Sequence, residues 1–236
     1  MLNTIMIELE QLGDEKTKQK YIKDGADTEL FGVKVGDLKK LVKAHKLNKN
    51  NQLAIELIET KNYDAMYLGF LIMEPRRIDV ENFIKWIDYS EYYRIRIHSL
   101  AYGMAEHDEF RQFLDYTKER KDDLHQSIHY AILAGRVVID PTFNNDLLLD
   151  VATYIRDNIN TEAYQDLNYT KYEMYGLLGY IGMQVASLSD LMIDYSKHID
   201  ESLNIDTNRR SINNVGFINS CINHGTVGKK RKSARC

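Results

Sequence analysis

The sequence predicts an all-α protein, a right-handed superhelical solenoid of about five or six helix pairs. Proline and glycine are scarce, since the 236 residues include only 2 Pro and 13 Gly, whereas an all-β protein needs turn residues every few positions. Apolar residues recur at three- and four-residue spacing, which is the stripe of an amphipathic helix. The third observation is a recurring segment in which aromatic and small residues surround a glycine.

The first helices are predicted from apolar stripes, and turn residues separate them. Two clear stripes contain four residues each: Val35, Leu38, Leu41 and Val42, then Leu53, Ala54, Leu57 and Ile58. Glycine, proline and asparagine clusters predict loops at five places along the chain. These are residues 32–36, 48–51, 74–77, 140–145 and 157–160.

Five glycine-bearing segments predict the repeat. They begin at Ala65, Ile97, Ile128, Met174 and Ile212, with spacings of 32, 31, 46 and 38 residues. These spacings bracket the ~40 residues of paired-helix repeats and leave room for one more helix in each interval, such as VENFIKWID at 80–88. We therefore expect the second helix of each pair to carry the small residues and to pack closely inside. A plain helical bundle is the alternative, because any buried helix can contain Gly and Ala.

The charge is divided between an acidic body and a basic end. The net charge is −4, but no acid follows Asp206 and residues 207–236 carry +7, so residues 1–206 carry −11. We expect a helical repeat domain over residues 1–223 and a basic C-terminal tail over residues 224–236.

Cysteine usage and the N-terminus predict a cytoplasmic protein. Cys221 and Cys236 form no CxxC pair, which excludes a disulfide framework and a cysteine zinc cluster. The first residues carry acids where a signal peptide needs a basic start, and the longest nearly apolar run, residues 176–183, is shorter than the ~20 residues that span a bilayer. We expect a monomer with no membrane association and no cofactor.

Basic and aromatic residues predict a DNA-binding surface. Positive residues recur near the starts of successive second helices, where backbone N–H groups and the helix dipole also favour phosphate. Stacked repeats would align these starts along one rim of a concave face, which suits the backbone of duplex DNA. The DNA-binding candidates are Arg76, Arg77, Tyr92, Tyr93, Arg94, Arg96, Lys171, Arg209, Arg210, Lys229, Lys230, Arg231, Lys232 and Arg235.

Two neighbouring features are interpreted as structural. Trp86 lies in the same aromatic region and is expected to pack in the core. His125 and His129 stand four residues apart, the spacing that places two imidazoles on one helix face for a metal. HQSIH lacks the glutamate of HExxH, and no third ligand can be named, so we predict no metal site.

Four segments carry a family resemblance: FGVKVGDLKKLVKAHK at 31–46, LAIELIETKNYDAMYLGFLI at 53–72, KYEMYGLLGYIGMQV at 171–185 and GTVGKKRKSARC at 225–236. Together they resemble the DNA alkylation repair family, whose N3- and N7-alkylpurine DNA glycosylases are built from HEAT-like helical repeats. The resemblance implies a HEAT-like solenoid whose partner is duplex DNA, either alkylated or distorted.

The resemblance also implies that two signature residues are missing. In the characterised glycosylases an aromatic-Asp-x-x-Asp segment supplies the catalytic carboxylate, and YYRIRIHS at 92–99 is the similar stretch. The aromatic position falls at Tyr93 and the carboxylate position at Ile97. Those enzymes also place an arginine at the start of the next inner helix, where this chain has Ser127. We therefore expect little or no base excision.

Two alternative functions stay open. In the first, Asp88 or Glu91, near the aromatic residues, replaces the lost carboxylate and the protein is an active alkylpurine DNA glycosylase. In the second, the protein is an interaction scaffold, the commonest use of HEAT-like solenoids, and its acidic body binds a basic partner. A positive concave face favours DNA, whereas a neutral or aromatic groove favours a peptide.

Overall fold

Helices are the regular elements of this protein. The structure, a computed structural model, describes residues 1–26, 29–140, 142–201, 208–224 and 228, and of residues 200, 201 and 208–213 it describes the backbone only. Within this part of the chain every regular element is helical, which confirms the all-α class. Three helices come first: α1 (Leu2–Gln11), α2 (Glu15–Lys23) and α3 (Val35–Ala44).

Five helix pairs follow in the described residues. The first pair is α4 (Asn51–Glu59) with α5 (Tyr63–Ile72). The second pair is α6 (Val80–Ile87) with one longer helix, which consists of α7 (Tyr93–Ile95), a π-helical segment (Arg96–Ala101) and α8 (Tyr102–Glu106). The last three pairs are α9 (Phe110–Lys118) with α10 (Asp123–Ile139), α11 (Asn145–Asn158) with α12 (Asn168–Gln184), and α13 (Ser189–Glu201) with α14 (Asn208–Asn223). Single 3-10 turns lie at Pro75–Arg77, Glu162–Tyr164 and Ala186–Leu188. The second member of each pair carries one of the five glycine-bearing segments, as predicted.

Polar side chains in the predicted breaks start two of these helices, α4 and α11. The side chain of Asn50 accepts a hydrogen bond from the Leu53 N–H at 3.1 Å, and Asn144 accepts one from the Leu147 N–H at 3.2 Å. Such caps satisfy N–H groups that have no partner within the helix. One predicted break is misplaced: α11 continues through Asn158, because Ile155 and Ile159 extend its buried apolar stripe.

The contacts divide the chain into two compact units, Met1–Glu109 and a second unit that begins at Phe110. The core of the first unit includes Trp86, which is fully buried and makes edge-to-face contacts with Phe70 and Phe83. Its indole N–H donates to the Glu59 carboxylate at 3.0 Å. The interpretation of Trp86 as a core residue is therefore confirmed, whereas a single domain over residues 1–223 stays a prediction.

In the second unit the second helices pack directly on one another. Helix α12 packs against both α10 and α14. A Cβ atom on Gly179 would collide with the Asn214 side chain, and one on Gly182 would collide with Ile218. The Asn214 amide, held at this contact, donates to the Tyr175 carbonyl at 2.8 Å. The glycines of α12 therefore permit the close packing that the repeat predicted.

Helix length and composition also bear on membrane insertion. Among the described residues no single helix combines the length and apolar composition needed to cross a membrane. One pair of helices has this length and apolar composition only when both helices are counted together. The pair consists of residues 168–184 and 186–199 and is bent by 118°.

Candidate nucleic-acid interface

The second helix of the second pair contains a π-helical turn in its middle. The Tyr102 N–H donates to the carbonyl of Ile97, five residues earlier, instead of four as in an α-helix. The extra residue brings Tyr93, His98 and Tyr102 onto one face, although their spacing is five and then four. The His98 ring lies 6.1 Å from the Tyr93 ring and 5.9 Å from the Tyr102 ring, both edge to face. His98 is exposed and Tyr93 is partly exposed.

The side chains of two predicted DNA contacts at the start of this helix are buried, which disfavours contact with phosphate. Tyr92 is 2% exposed, and its ring packs edge to face on Tyr63 at 5.0 Å. Burial raises the pKa of the Tyr92 hydroxyl above its usual value. Arg96 is 7% exposed, and its guanidinium donates to the carbonyls of Ser90 at 3.1 Å and Glu91 at 2.7 Å. Arg96 thus closes the turn before the helix and does not face phosphate.

Three predicted arginines of the first unit are exposed and lie in surface ion pairs. Arg94 contacts Asp24 at 2.8 Å. Arg76 contacts Asp108 at 3.4 Å, and Arg77 contacts Glu74 at 3.2 Å, with the two arginine side chains 64% and 75% exposed. Exposed ion pairs of this kind contribute little stability, so the arginines can exchange the carboxylate for a phosphate at small cost.

The predicted phosphate sites at the starts of the second helices need correction for α10 and α12, because the acids Asp122 and Asp123 accept hydrogen bonds from N–H groups there. Asp123 accepts hydrogen bonds from the N–H groups of Tyr169 at 3.1 Å and Thr170 at 2.7 Å at the start of α12. Lys171 follows, and its ammonium donates to the Gln165 carbonyl at 3.1 Å. These N–H groups are therefore already satisfied by a carboxylate within the protein.

The basic C-terminal candidates lie outside the described residues. The structure gives the backbone of Arg209 and Arg210 in α14 but no account of their side chains. Outside it altogether are Lys229, Lys230, Arg231, Lys232 and Arg235. Their contact with DNA stays a prediction.

A buried carboxylate that sequence reasoning missed fixes the loop before α3. Asp64 is fully buried and accepts hydrogen bonds from the backbone N–H groups of Phe31 at 2.7 Å, Gly32 at 2.9 Å and Val33 at 2.9 Å. Burial raises the pKa of Asp64, and the three N–H groups oppose that rise. Asp64 and residues 31–33 lie in two of the segments that carry the family resemblance. Their presence in these segments was the signal in the sequence that pointed to a shared structural role.

The two histidines with metal-site spacing each have a protein partner. The His125 Nδ1 lies 2.8 Å from the Asp122 carboxylate, and the His129 Nδ1 lies 3.1 Å from the Thr117 hydroxyl. Burial lowers the pKa of His129 to about 4. Among the described residues no three His, Cys, Asp or Glu side chains form a ligand set.

Comparisons with known proteins identify the family. Residues 5–101 match the family model described as DNA alkylation repair enzyme. Over 172 residues the chain is 30% identical to the uncharacterized protein Lin0241 of Listeria innocua and 31% identical to Lmo0209 of Listeria monocytogenes, and each match covers 72% of this chain and 73% of the relative. The chain belongs to the DNA alkylation repair family.

A solved structure of a related protein matches the fold of this chain over its whole length. It is described as a new family of proteins related to the HEAT-like repeat DNA glycosylases with affinity for branched DNA structures. The match has a TM-score of 0.81 and 27% identity, and it covers 100% of this chain and 99% of the other. The predicted fold of HEAT-like helix pairs is therefore confirmed.

The two signature positions of this DNA alkylation repair family member carry no exposed charged group. Ile97 lies in the π-helical segment and is fully buried. Ser127 is also fully buried, and its hydroxyl donates to the Leu124 carbonyl at 2.9 Å. The alternative acids Asp88 and Glu91 are both exposed, and Asp88 directly follows α6.

A group of lysines around α3 was absent from the predicted interface. Residues 34–49 contain six lysines against one acid, Asp37, and all six lysines are exposed. The signal was present in the sequence, but the acidic average over residues 1–206 concealed it. Charge counted over windows of about one helix would have found this group.

Proposed function

We propose that this protein binds DNA, both duplex and branched, and does not excise bases. The observation that carries the proposal is the full-length similarity to a protein with affinity for branched DNA structures. The exposed arginines Arg76, Arg77 and Arg94 support it, because exposed cations can contact phosphates without reading base sequence. Binding should therefore depend steeply on salt and weakly on sequence.

The buried, uncharged side chains of Ile97 and Ser127 support the absence of base excision. Removal of an alkylated base develops positive charge on the sugar, which a carboxylate stabilises. The family resemblance aligns Ile97 with the carboxylate and Ser127 with the arginine, and both side chains are buried and uncharged. Loss of such electrostatic stabilisation commonly reduces a rate by about 10²–10³ or more.

Base release and binding test the two halves of the proposal separately. Duplex DNA containing 7-methylguanine is incubated with the protein and with an active alkylpurine glycosylase, and released base is measured. We expect release at the rate of the protein-free control. Robust release that Asp88→Asn or Glu91→Gln abolishes would contradict the proposal and identify a displaced carboxylate.

The binding experiment compares a four-way junction with a linear duplex of the same sequence and length. Fluorescence anisotropy at several salt concentrations gives the affinity and its salt slope. We expect binding to both DNAs, weaker at higher salt, with the junction preferred. Lack of binding to either DNA at low salt would overturn the proposal and favour the scaffold function.

A further inference from the structure

Three lysines around α3 form a positive surface, and none of them pairs with an acid of the described residues. Lys39 and Lys43 are one helical turn apart, and Lys46 follows at the end of the helix. All three are exposed, and none takes part in an ion pair within the described part of the chain. We call these three residues the α3 lysine surface. The neighbouring Lys40 and Lys49 differ, since each contacts an acid.

The backbone at Lys46 has a conformation that favours glycine. Helix α3 ends with the Leu47 N–H donating to the Val42 carbonyl at 3.0 Å and the Lys46 N–H donating to the Lys43 carbonyl at 3.3 Å. This motif places Lys46 in the left-handed region, with φ of 53°. A side chain at such a position is disfavoured, because its Cβ approaches the following carbonyl oxygen.

Helix α2 ends with the same motif and provides a comparison within the chain. There the Ala26 N–H donates to the Tyr21 carbonyl at 2.9 Å, and Gly25 occupies the left-handed position with φ of 97°. Lysine at position 46 therefore costs backbone strain that glycine avoids at position 25. What lysine adds to α3 is a flexible positive charge, which points to the binding of an anion.

We propose that the α3 lysine surface binds phosphates of the DNA backbone. This inference rests on the proposed function, which provides the polyanion. A cation that is not paired with an acid can contact a phosphate without first giving up a partner, and these three lysines meet that condition. In α3 the apolar residues Leu38, Leu41 and Val42 are buried and Val35 is partly buried, so this helix lacks the broad exposed apolar face that membrane-surface helices insert into lipid.

The test removes these charges from the full-length protein. Lys39, Lys43 and Lys46 are changed together to Gln, and binding to a four-way junction is measured by anisotropy over a range of salt concentrations. We expect affinity at low salt to fall about tenfold or more and the salt slope to decrease by about 2–3, because each lost phosphate contact removes roughly 0.9 from it. A matched control changes Lys118, Lys121 and Lys197, exposed lysines of the second unit, to Gln.

The outcomes separate this inference from the proposed function. Wild-type binding that both triple variants weaken equally would overturn the inference, since the effect would then come from net charge. Wild-type binding that neither variant changes would also overturn it and leave the proposed function standing. Failure of the wild type to bind any DNA would overturn both. Binding of the wild type to anionic lipid vesicles, lost in the α3 variant while DNA binding is unchanged, would assign the surface to a membrane and overturn the inference.

A single substitution tests the link between strain and binding. Lys46→Gly should raise the Tm because it relieves the left-handed position, and it should weaken DNA binding because it removes one phosphate contact. Lys61→Gly is the control for the backbone effect, because Lys61 has a similar φ of 59° at the end of α4. Its ammonium lies over the Tyr89 ring at 4.2 Å and is not part of the α3 lysine surface. DNA affinity that Lys46→Gly leaves unchanged would contradict a role of Lys46 in phosphate binding.

Discussion

At the scale of single residues, one extra residue in a helical turn decides which side chain reaches the surface beside Tyr93. In a regular α-helix the residue four positions later, Ile97, would share that face. The π-helical turn instead brings His98 to within 6.1 Å of the Tyr93 ring, while Ile97 is fully buried. A carboxylate introduced at position 97 would therefore be buried and not exposed beside Tyr93.

Substitution by aspartate tests this register. Ile97→Asp should destabilise the protein by about 3 kcal/mol or more, because it buries a carboxylate that has no partner. His98→Asp should change the free energy of unfolding by about 1 kcal/mol or less, because the side chain is exposed. Urea unfolding of the two variants provides the measurement. A larger loss for His98→Asp than for Ile97→Asp would mean that the helix has a regular α-helical register.

His129 predicts an acid-sensitive stability. Burial lowers its pKa to about 4, below the usual value of about 6.5 in an unfolded chain. The folded state thus binds fewer protons, so stability present above pH ~6.5 is lost as the pH falls toward the folded pKa. We expect a loss of about 2 kcal/mol between pH 7.5 and pH 5, which linkage gives for these two values.

The measurement is urea unfolding at pH 7.5, 6 and 5. His129→Gln should remove most of the pH dependence above pH 5. His45→Gln is the control, since His45 is exposed and contacts Glu8, and this variant should keep the pH dependence. Identical pH profiles of stability for wild type and His129→Gln would show that His129 does not cause the pH dependence.

At the scale of helices, the position of a glycine within α12 or α14 determines whether a side chain is tolerated. Gly179 of α12 faces the Asn214 side chain, and that side chain is held by its hydrogen bond to the Tyr175 carbonyl. Gly216 of α14 has no atom within 4 Å of the place where a Cβ would stand. The two glycines have equal helix propensity, so packing alone distinguishes them.

Alanine at these two positions should have opposite effects. Gly179→Ala should destabilise the protein by about 1–3 kcal/mol, the usual cost of overpacking, because Asn214 must move. Gly216→Ala should stabilise it by about 0.5–1 kcal/mol, because alanine is the better helix former. Thermal unfolding followed by circular dichroism distinguishes the variants. A stabilising Gly179→Ala would show that α12 and α14 do not pack this closely.

At the scale of the whole molecule, the net charge of −4 is a poor guide to DNA binding because the positive charge is local. Residues 207–236 carry +7 and residues 34–49 carry +5, while acids elsewhere outweigh both. Screening at physiological salt acts over about 8 Å, so local charge determines phosphate contact more than the distant acids do. The salt slope of binding therefore measures the local cations that touch DNA.

Charge reversal at the C-terminal end tests its share of that slope. Arg209, Arg210 and the four residues 229–232 are changed to Glu, and junction binding is titrated with salt. We expect weaker binding and a flatter slope, by roughly 0.9 for each lost contact with duplex DNA. The same number of Lys→Glu changes among exposed lysines outside residues 34–49 and 207–236 is the control. An unchanged slope would mean that the basic end does not contact DNA.

The sequence by itself determined the all-α class, the order of helix pairs and the glycines of the second helices, because periodicity and turn chemistry act over a few residues. Its family resemblance also predicted that Ile97 and Ser127 stand in place of a carboxylate and an arginine, which stays a prediction. The tertiary structure alone decided that Tyr92 and Arg96 are buried, that His98 takes the surface beside Tyr93, and that Lys46 has a left-handed backbone. Burial depends on contacts between residues distant in the chain, and the π-helical turn and the helix ending depend on backbone hydrogen bonds that residue type does not specify.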